Sequence, residues 1–248
     1  MRHLRAAFRF ALLFVFTFGI YGIWLVLSPF IPNKTFWRQL ILEWWSRGFV
    51  RIANCEIEVI GTPPKPPFFL VGNHLGYFDI PVVRSAAKGV YVAKHDIGEW
   101  LFLGKMIRNM GTIYVNRARK RDIPRAGEEV IERLSAGEGV IVFPEGTSSK
   151  GDVVLPFNSS FLAFAAQSDV PVSYVSISYR TPAGEPPPSE AICWWDDTPF
   201  LTHILRLFSI KRFTAILNFG DEPVMNPDRK RLANELRDRV NQRFIPMM

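Results

Sequence analysis

The most apolar part of the sequence lies near its start. Residues 10–33 contain no charged side chain, and residues 10–27 consist mainly of Phe, Leu, Val and Ile. A helix over this run reaches the lower end of the length needed to cross the apolar core of a bilayer. Arg2, Arg5 and Arg9 precede the run, and basic residues flank the cytoplasmic end of membrane helices. The pattern predicts a membrane-inserted helix; the alternative is a buried helix of a soluble protein.

The next segment, residues 35–53, alternates polar and apolar positions instead. Glu43, Arg47 and Arg51 recur at a spacing of four, which places them on one stripe of a helix among Trp, Leu, Ile and Phe. A helix of this kind lies in a membrane interface more readily than it spans a bilayer. The alternative is an amphipathic helix packed on a soluble core.

Two prolines separate these runs. Pro29 and Pro32 disfavour continuation of a helix and favour a turn. Residues 1–53 are therefore predicted to form a two-helix hairpin that anchors the protein in one leaflet. Residues 54–248 are predicted to form the second domain.

The second domain alternates short β-rich runs with helical stretches. Strands are predicted at 56–60, 68–71, 90–93, 112–115, 140–143, 172–178 and 215–219. Helices are predicted within 98–109, 124–136, 159–168 and 227–243, and a surface loop at 182–190. Since the strands are apolar enough to be buried on both faces, the pattern predicts an α/β fold, a mixed sheet flanked by helices.

Conspicuous polar residues follow four of the predicted strands. They are Asn73 and His74, Lys94, Asn116 and Arg117, and Glu145, Gly146 and Thr147. In open α/β sheets, ligands bind at the carboxyl ends of strands. We therefore expect these four strand ends to meet at one cleft.

The amino-acid composition limits which classes of ligand such a cleft can be expected to bind. The net charge is +7, which suits nucleic acid, an anionic membrane surface or acidic ligands. No nucleic-acid-binding motif is visible, so nucleic acid is not expected as a partner. The two cysteines, Cys55 and Cys193, suit a reducing compartment, and no metal-binding spacing is present.

His74 and Asp79 stand five residues apart in "NHLGYFD". If a helix begins after Gly76, the carboxylate can accept a hydrogen bond from one imidazole nitrogen and leave the other as a general base. No serine or cysteine nucleophile lies close by in sequence, which suggests that a substrate hydroxyl is activated directly. The alternative is a structural hydrogen bond.

The segment "VFPEGTSSKG" at 142–151 places a carboxylate, a glycine and three hydroxyl residues after a strand. The backbone N–H groups of such a turn suit a phosphate or an oxyanion. An ordinary β-turn with solvated hydroxyls is the alternative.

Taken together, "NHLGYFD", "GTIYVNR" and "FPEGT" closely resemble the motifs of the glycerolipid and lysophospholipid acyltransferase family. The resemblance covers roughly residues 55–220 and the hydrophobic N-terminal helices. It implies that His74 and Asp79 are catalytic and that Arg117 helps bind the acceptor phosphate. It also implies that Glu145, Gly146 and Thr147 help bind the glycerol-phosphate part. Lys94 is a further candidate for binding phosphates of the donor or acceptor.

The sequence departs from the family pattern at two positions. Ser148 replaces an arginine or asparagine that many members have, and Asn158 replaces a lysine. The stretch "EGTSSKGDVVLPFNSS" and the segment 193–205 are more similar to a branch whose members act on lyso-ornithine lipid. These departures leave the acceptor head group open.

The resemblance implies a membrane-bound O-acyltransferase at the cytoplasmic face of a bacterial inner membrane. We expect acyl-CoA or acyl carrier protein as the donor, a lysolipid as the acceptor, and neither a metal nor a resident cofactor. The first acceptor expected is 1-acyl-sn-glycerol-3-phosphate, and lyso-ornithine lipid is the alternative. Two other classes remain open: a non-catalytic, membrane-anchored lipid-binding protein, and a hydrolase that activates water.

Overall fold

The computed structural model describes residues 1–99, 103–116, 122–168 and 170–247. Two helices open the chain, α1 (Arg2–Leu27) and α2 (Lys34–Ala53). A short 3-10 turn, Ser28–Phe30, separates them, and the Asn33 side chain caps α2 by accepting from the Phe36 N–H at 2.9 Å. The helices pack against each other, so the predicted hairpin is present.

A seven-stranded sheet follows in the described residues. Its strands are β1 (Cys55–Ile60), β2 (Phe68–Gly72), β3 (Gly89–Lys94), β4 (Ile113–Val115), β5 (Gly139–Val142), β6 (Val172–Arg180) and β7 (Phe213–Phe219). The spatial order is β1-β7-β6-β2-β5-β3-β4. Only the β6–β7 pairing is antiparallel among them, and the other five pairings are parallel. The predicted mixed sheet is therefore confirmed.

The remaining helices cover the sheet. They are α3 (Asp79–Ala86), α4 (Leu103–Asn109), α5 (Asp122–Ser135), α6 (Ala163–Gln167), α7 (Pro188–Ala191), α8 (Phe200–Ser209) and α9 (Arg229–Arg243). On β6, Tyr174 lies beside Arg239 and Arg243 of α9, whereas Tyr179 lies beside Phe78, next to α3. Since side chains alternate along a strand, these two helices lie on opposite faces. The prediction of a sheet flanked by helices is confirmed.

Helix α1 is attached to the rest of the protein along its length. Its buried residues, Ala6, Leu13 and Ile20, recur every seven positions. Its opposite side exposes large apolar side chains, including Phe8, Val15 and Val26. In the described part of the chain, one helical segment, Arg2–Phe30, is long and apolar enough to cross a membrane. In its most apolar stretch, 11% of the residues are buried.

Two of the arginines that precede the apolar run bind the end of α8. Arg9 donates to the carbonyl oxygens of Ile210 at 2.6 Å and Phe208 at 3.2 Å, and Arg5 donates to that of Ser209. Terminal carbonyls of a helix lack partners within the helix and carry its partial negative charge. The arginines therefore join α1 to α8 instead of standing free in solvent.

The structure differs from the sequence-based expectation in two places. Helix α7 begins inside the predicted loop 182–190, and α8 follows in a segment for which no helix was predicted. Helix α9 begins at Arg229, where Asp228 is the cap and accepts from the N–H groups of Lys230 and Arg231. The helix therefore begins two residues later than the predicted start at 227, because the Asp228 carboxylate reaches both of these N–H groups.

Candidate active site

The carboxyl ends of four neighbouring parallel strands meet at one edge of the sheet. Strand β2 pairs with β5, β5 with β3, and β3 with β4. In this register Val71 lies opposite Val142, and Lys94 lies opposite Val115. The residues that follow these strands therefore share an edge, as the sequence predicted.

His74 and Asp79 are in contact at this edge. The His74 Nδ1 atom lies 2.7 Å from Asp79 Oδ2, which also accepts from the N–H groups of Leu75 at 2.6 Å and Gly76 at 3.0 Å. Asp79 is the first residue of α3 and is fully buried. A carboxylate at this position is favoured by the N-terminal end of the helix dipole. The bend that lets β2 run into α3 thus brings the two side chains together.

Tyr179 completes the environment of Asp79 and was not predicted. Its hydroxyl donates to Asp79 Oδ1 at 2.7 Å from the end of β6. Burial raises the pKa of Tyr179 well above its ordinary value of 10.0, and the nearby Asp79 charge acts in the same direction. The phenol therefore stays neutral and remains a donor. No local sequence signal joins residues 100 positions apart, so only the fold reveals this contact.

The imidazole of His74 is fixed on one side and open on the other. Its ring stacks on Phe143 with centroids 4.4 Å apart and an interplanar angle of 3°. The side chain is 23% exposed, whereas that of Asp79 is completely buried. Because Nδ1 faces Asp79, Nε2 is the ring nitrogen that can meet a substrate.

Glu145 lies in the turn that follows β5. It is 9% exposed, and its Oε1 accepts from the Leu155 N–H at 3.3 Å, while Oε2 has no partner among the described residues. Burial raises the pKa of Glu145 to about 8, although the backbone N–H groups of Leu155 and His74 oppose that rise. Gly146 has a φ of 72°, which favours glycine, and the exposed Thr147 follows it.

Of the two predicted cationic residues, Lys94 lies within the described residues and Arg117 does not. Lys94 is exposed at the carboxyl end of β3, on the same sheet edge as His74 but two strands from β2. Arg117 lies outside the described residues. The preceding residue, Asn116, donates its N–H to Asp122 at 2.6 Å just after β4.

Backbone bonds join two distant segments to the His74 region. The Ser149 N–H donates to the His74 carbonyl at 2.9 Å, and the Trp194 N–H donates to the Leu75 carbonyl at 2.7 Å. The Ser148 hydroxyl donates to the Trp194 carbonyl. Within the described part of the chain, no group of three or more His, Cys, Asp or Glu side chains is placed to hold a metal ion.

A mixed sheet with a His–Asp pair at its carboxyl edge and a Phe-Pro-Glu-Gly-Thr turn beside it is the arrangement that the resemblance to acyltransferases leads us to expect. The chain belongs to the acyltransferase family, whose sequence model matches residues 56–178. It is 30% identical over 175 residues to the 1-acyl-sn-glycerol-3-phosphate acyltransferase of Neisseria meningitidis serogroup B, covering 70% of this chain and 68% of that protein.

Two further likenesses extend over more of the chain. The lyso-ornithine lipid O-acyltransferase of Pseudomonas aeruginosa is 28% identical over 220 residues, which cover 88% of this chain and 84% of that protein. The crystal structure of the 1-acyl-sn-glycerophosphate acyltransferase PlsC from Thermotoga maritima aligns with a TM-score of 0.69 and 24% identity, covering 98% of this chain and 97% of that one. The structural likeness shows the shared fold.

Proposed function

We propose that the protein is a membrane-bound O-acyltransferase that moves a fatty acyl chain from acyl-CoA or acyl carrier protein to the free hydroxyl of a lysolipid. The observation that carries this proposal is the 2.7 Å contact between His74 Nδ1 and Asp79, which leaves Nε2 open. The names of the two relatives, both of which act on lysolipids, support it.

The reaction needs a base, an acid and a site for negative charge. His74 Nε2 accepts the proton of the acceptor hydroxyl while its oxygen attacks the thioester carbonyl. Collapse of the tetrahedral intermediate breaks the carbon–sulfur bond, and the imidazolium returns the proton to the leaving thiolate. Asp79 keeps the proton on Nδ1 and stabilises the imidazolium, as in a Ser-His-Asp triad.

The turn after β5 supplies candidate donors for the tetrahedral oxyanion. The Gly146 N–H donates to the Phe143 carbonyl at 3.1 Å, and the Ser149 N–H donates to His74. The backbone N–H groups of Thr147 and Ser148 have no protein acceptor among the described residues. Backbone donors aimed at a developing charge are a common source of rate enhancement.

The first candidate acceptor is 1-acyl-sn-glycerol-3-phosphate, which would yield phosphatidic acid. Arg117 and Lys94 are the proposed contacts to its phosphate, and Glu145, Gly146 and Thr147 those to its glycerol part. Lyso-ornithine lipid is a second candidate, which two neutral side chains favour. Ser148 donates to the Trp194 carbonyl, and Asn158 caps a 3-10 helix by accepting from Ser160 at 3.0 Å. Neither offers the positive charge that a phosphate would need.

The hairpin is the proposed membrane anchor. The exposed apolar side of α1 would lie in the cytoplasmic leaflet, together with Phe30 and Phe36 near the turn. Because Arg5 and Arg9 bind the end of α8, the start of α1 and the catalytic domain would lie on the same side of the membrane. Cytosolic acyl donors could then reach His74.

His74→Ala tests the mechanism, with His3→Ala as the matched control because His3 is exposed on α1. Thiol release from acyl-CoA is measured with and without each lysolipid, and lipid products are identified by mass spectrometry. We expect His74→Ala to lose about 10²–10⁴ in rate and His3→Ala to lose nothing.

The same assay separates the other classes. Thiol release without lysolipid would indicate a hydrolase. A wild-type protein that binds lysolipid but releases no thiol with either donor would be a binding protein, and near-normal turnover by His74→Ala would refute the mechanism.

A further inference from the structure

The two segments that set this chain apart in sequence meet beside His74. Segment 148–152 is tied to the His74 carbonyl through Ser149 at 2.9 Å, and segment 193–196 to the Leu75 carbonyl through Trp194 at 2.7 Å. The hydrogen bond from Ser148 to the Trp194 carbonyl joins the segments to each other. They therefore form one wall next to the proposed general base.

Residues of both segments line a cavity of about 550 Å³. That volume is within the range of small-molecule sites. Five charged side chains line it: Lys150, Asp152, Glu190, Asp196 and Arg206. Trp195 adds an aromatic surface, with Lys150 Nζ 5.7 Å from its ring centroid.

The floor of the cavity is neutral and fixed. Buried His203 donates from Nε2 to the Cys193 carbonyl at 3.0 Å, so Nδ1 accepts from the Tyr77 hydroxyl at 3.0 Å. Burial lowers the pKa of His203, which keeps the ring uncharged. Both nitrogens are thus occupied, and the charge of the cavity comes from its walls.

The charged wall residues are not joined to one another by salt bridges in the described part of the chain. Within the described residues, none of the five forms an ion pair with another within 4.0 Å. Asp152 accepts from the Val153 N–H at 3.0 Å, Asp196 from the Thr198 N–H at 3.2 Å, and Arg206 donates to the Glu190 carbonyl at 3.0 Å. Both signs of charge therefore remain available to a ligand.

We propose that this cavity binds the head group of a zwitterionic lysolipid, one that carries an ammonium group together with a carboxylate or phosphate. Asp152 and Asp196 would accept from the ammonium, and Lys150 would donate to the acidic group. Three carboxylates against two cations disfavour a phosphate monoester that has no ammonium of its own. The inference rests on the proposed acyl transfer and specifies its acceptor.

Two amino-acid changes test the cavity in the full-length protein. Lys150→Gln and Asp196→Asn each remove one wall charge, and Lys230→Gln and Glu222→Gln are matched controls on exposed residues outside it. Thiol release is measured with lyso-ornithine lipid, lysophosphatidylethanolamine and 1-acyl-sn-glycerol-3-phosphate. The first two acceptors distinguish an amino-acid head group from a phosphoethanolamine one.

We expect each cavity change to raise the KM for a zwitterionic acceptor about fivefold, with kcat unchanged, because exposed charge pairs contribute modestly. The KM for 1-acyl-sn-glycerol-3-phosphate should stay the same. Unchanged KM values for both zwitterions, equal shifts for all three acceptors, or equal shifts in the controls would overturn the proposal.

A binding measurement tests the cavity independently of catalytic turnover. N-acetylornithine and phosphoethanolamine are titrated into the His74→Ala protein by calorimetry, with glycerol 3-phosphate as the comparison. Loss of zwitterion binding on adding Lys150→Gln or Asp196→Asn supports the cavity, whether or not the wild type transfers an acyl group. Absence of acyl transfer by the wild type would refute the proposed function but not the cavity. Absence of binding, or binding that these changes leave intact, refutes the cavity.

Discussion

Glu145 should make the stability of the protein depend on pH. Its pKa is raised by burial from an ordinary value of 4.5 to about 8. Between these values the native state keeps a proton that the unfolded state releases. The stability contributed by the protonated form is therefore complete below pH 4.5 and is lost as the pH rises through 8.

The size of this effect follows from the two pKa values. Stability falls by about 1.36 kcal/mol per pH unit until the pH reaches the native pKa of about 8. Raising the pH from 5 to 9 therefore destabilises the folded state by about 4 kcal/mol through this one group. Glu145→Gln removes the titration but keeps an oxygen that can accept from Leu155 and His74. The amide nitrogen replaces Oε2, which has no partner in the described residues, so its desolvation cost does not vary with pH.

Thermal unfolding of the detergent-solubilised protein, followed by tryptophan fluorescence, measures the difference. For a chain of this length, about 4 kcal/mol corresponds to roughly 8–16 °C in Tm. The difference in Tm between Glu145→Gln and wild type should shift in favour of the variant by that amount from pH 5 to pH 9. Glu222→Gln, which changes an exposed carboxylate, should show no such gain. Parallel pH profiles for wild type and Glu145→Gln would refute the reasoning.

Three further outcomes test other parts of the site and the anchor. Asp79→Asn should lower kcat on the order of 10⁴-fold with little change in donor KM, because the amide favours the wrong tautomer of His74; a small loss measured by thiol release would contradict this. Tyr179→Phe should destabilise the fold by about 1.5–3 kcal/mol, the value of a hydrogen bond to a charged group, and unchanged unfolding in denaturant would show that the bond contributes nothing. Cysteines introduced at Leu4 and Glu132 should both resist an impermeant thiol reagent outside intact cells, with buried Cys55 and Cys193 giving little background, and labelling of position 132 alone would indicate a single span.

Much of the sheet could be predicted because its strands carry a local signal. Runs such as 68–71 and 140–143 are apolar throughout, and β2 and β5 are buried along their whole length. The shared strand edge followed from the polar residues that come next. Helix α8 was missed because the preceding "WWDDTP" reads as a loop and the helix is only ten residues long, although its buried residues recur at helical spacing.

The candidate site was predictable only where its parts are close in sequence. His74 and Asp79 are within one turn of chain, so their contact could be predicted, although its catalytic role remains a prediction. Tyr179 reaches Asp79 from 100 residues away, and the Trp194 N–H reaches Leu75 across a similar distance. Such contacts depend on strand order, which a single sequence does not encode locally.

The junction between α1 and α8 also has a consequence for synthesis. Arg9 donates to the Phe208 carbonyl across 199 positions, and Arg5 to the Ser209 carbonyl across 204. At about 5–20 residues per second, a ribosome needs roughly 10–40 s to make the partner after the helix. During that interval α2 can pack on α1, but the side of α1 that contacts α8 has no protein surface to cover it, and a bilayer is the apolar phase available. We expect the nascent chain to associate with the membrane before its catalytic domain folds, so that the enzyme would assemble at the surface that holds the proposed lysolipid substrate.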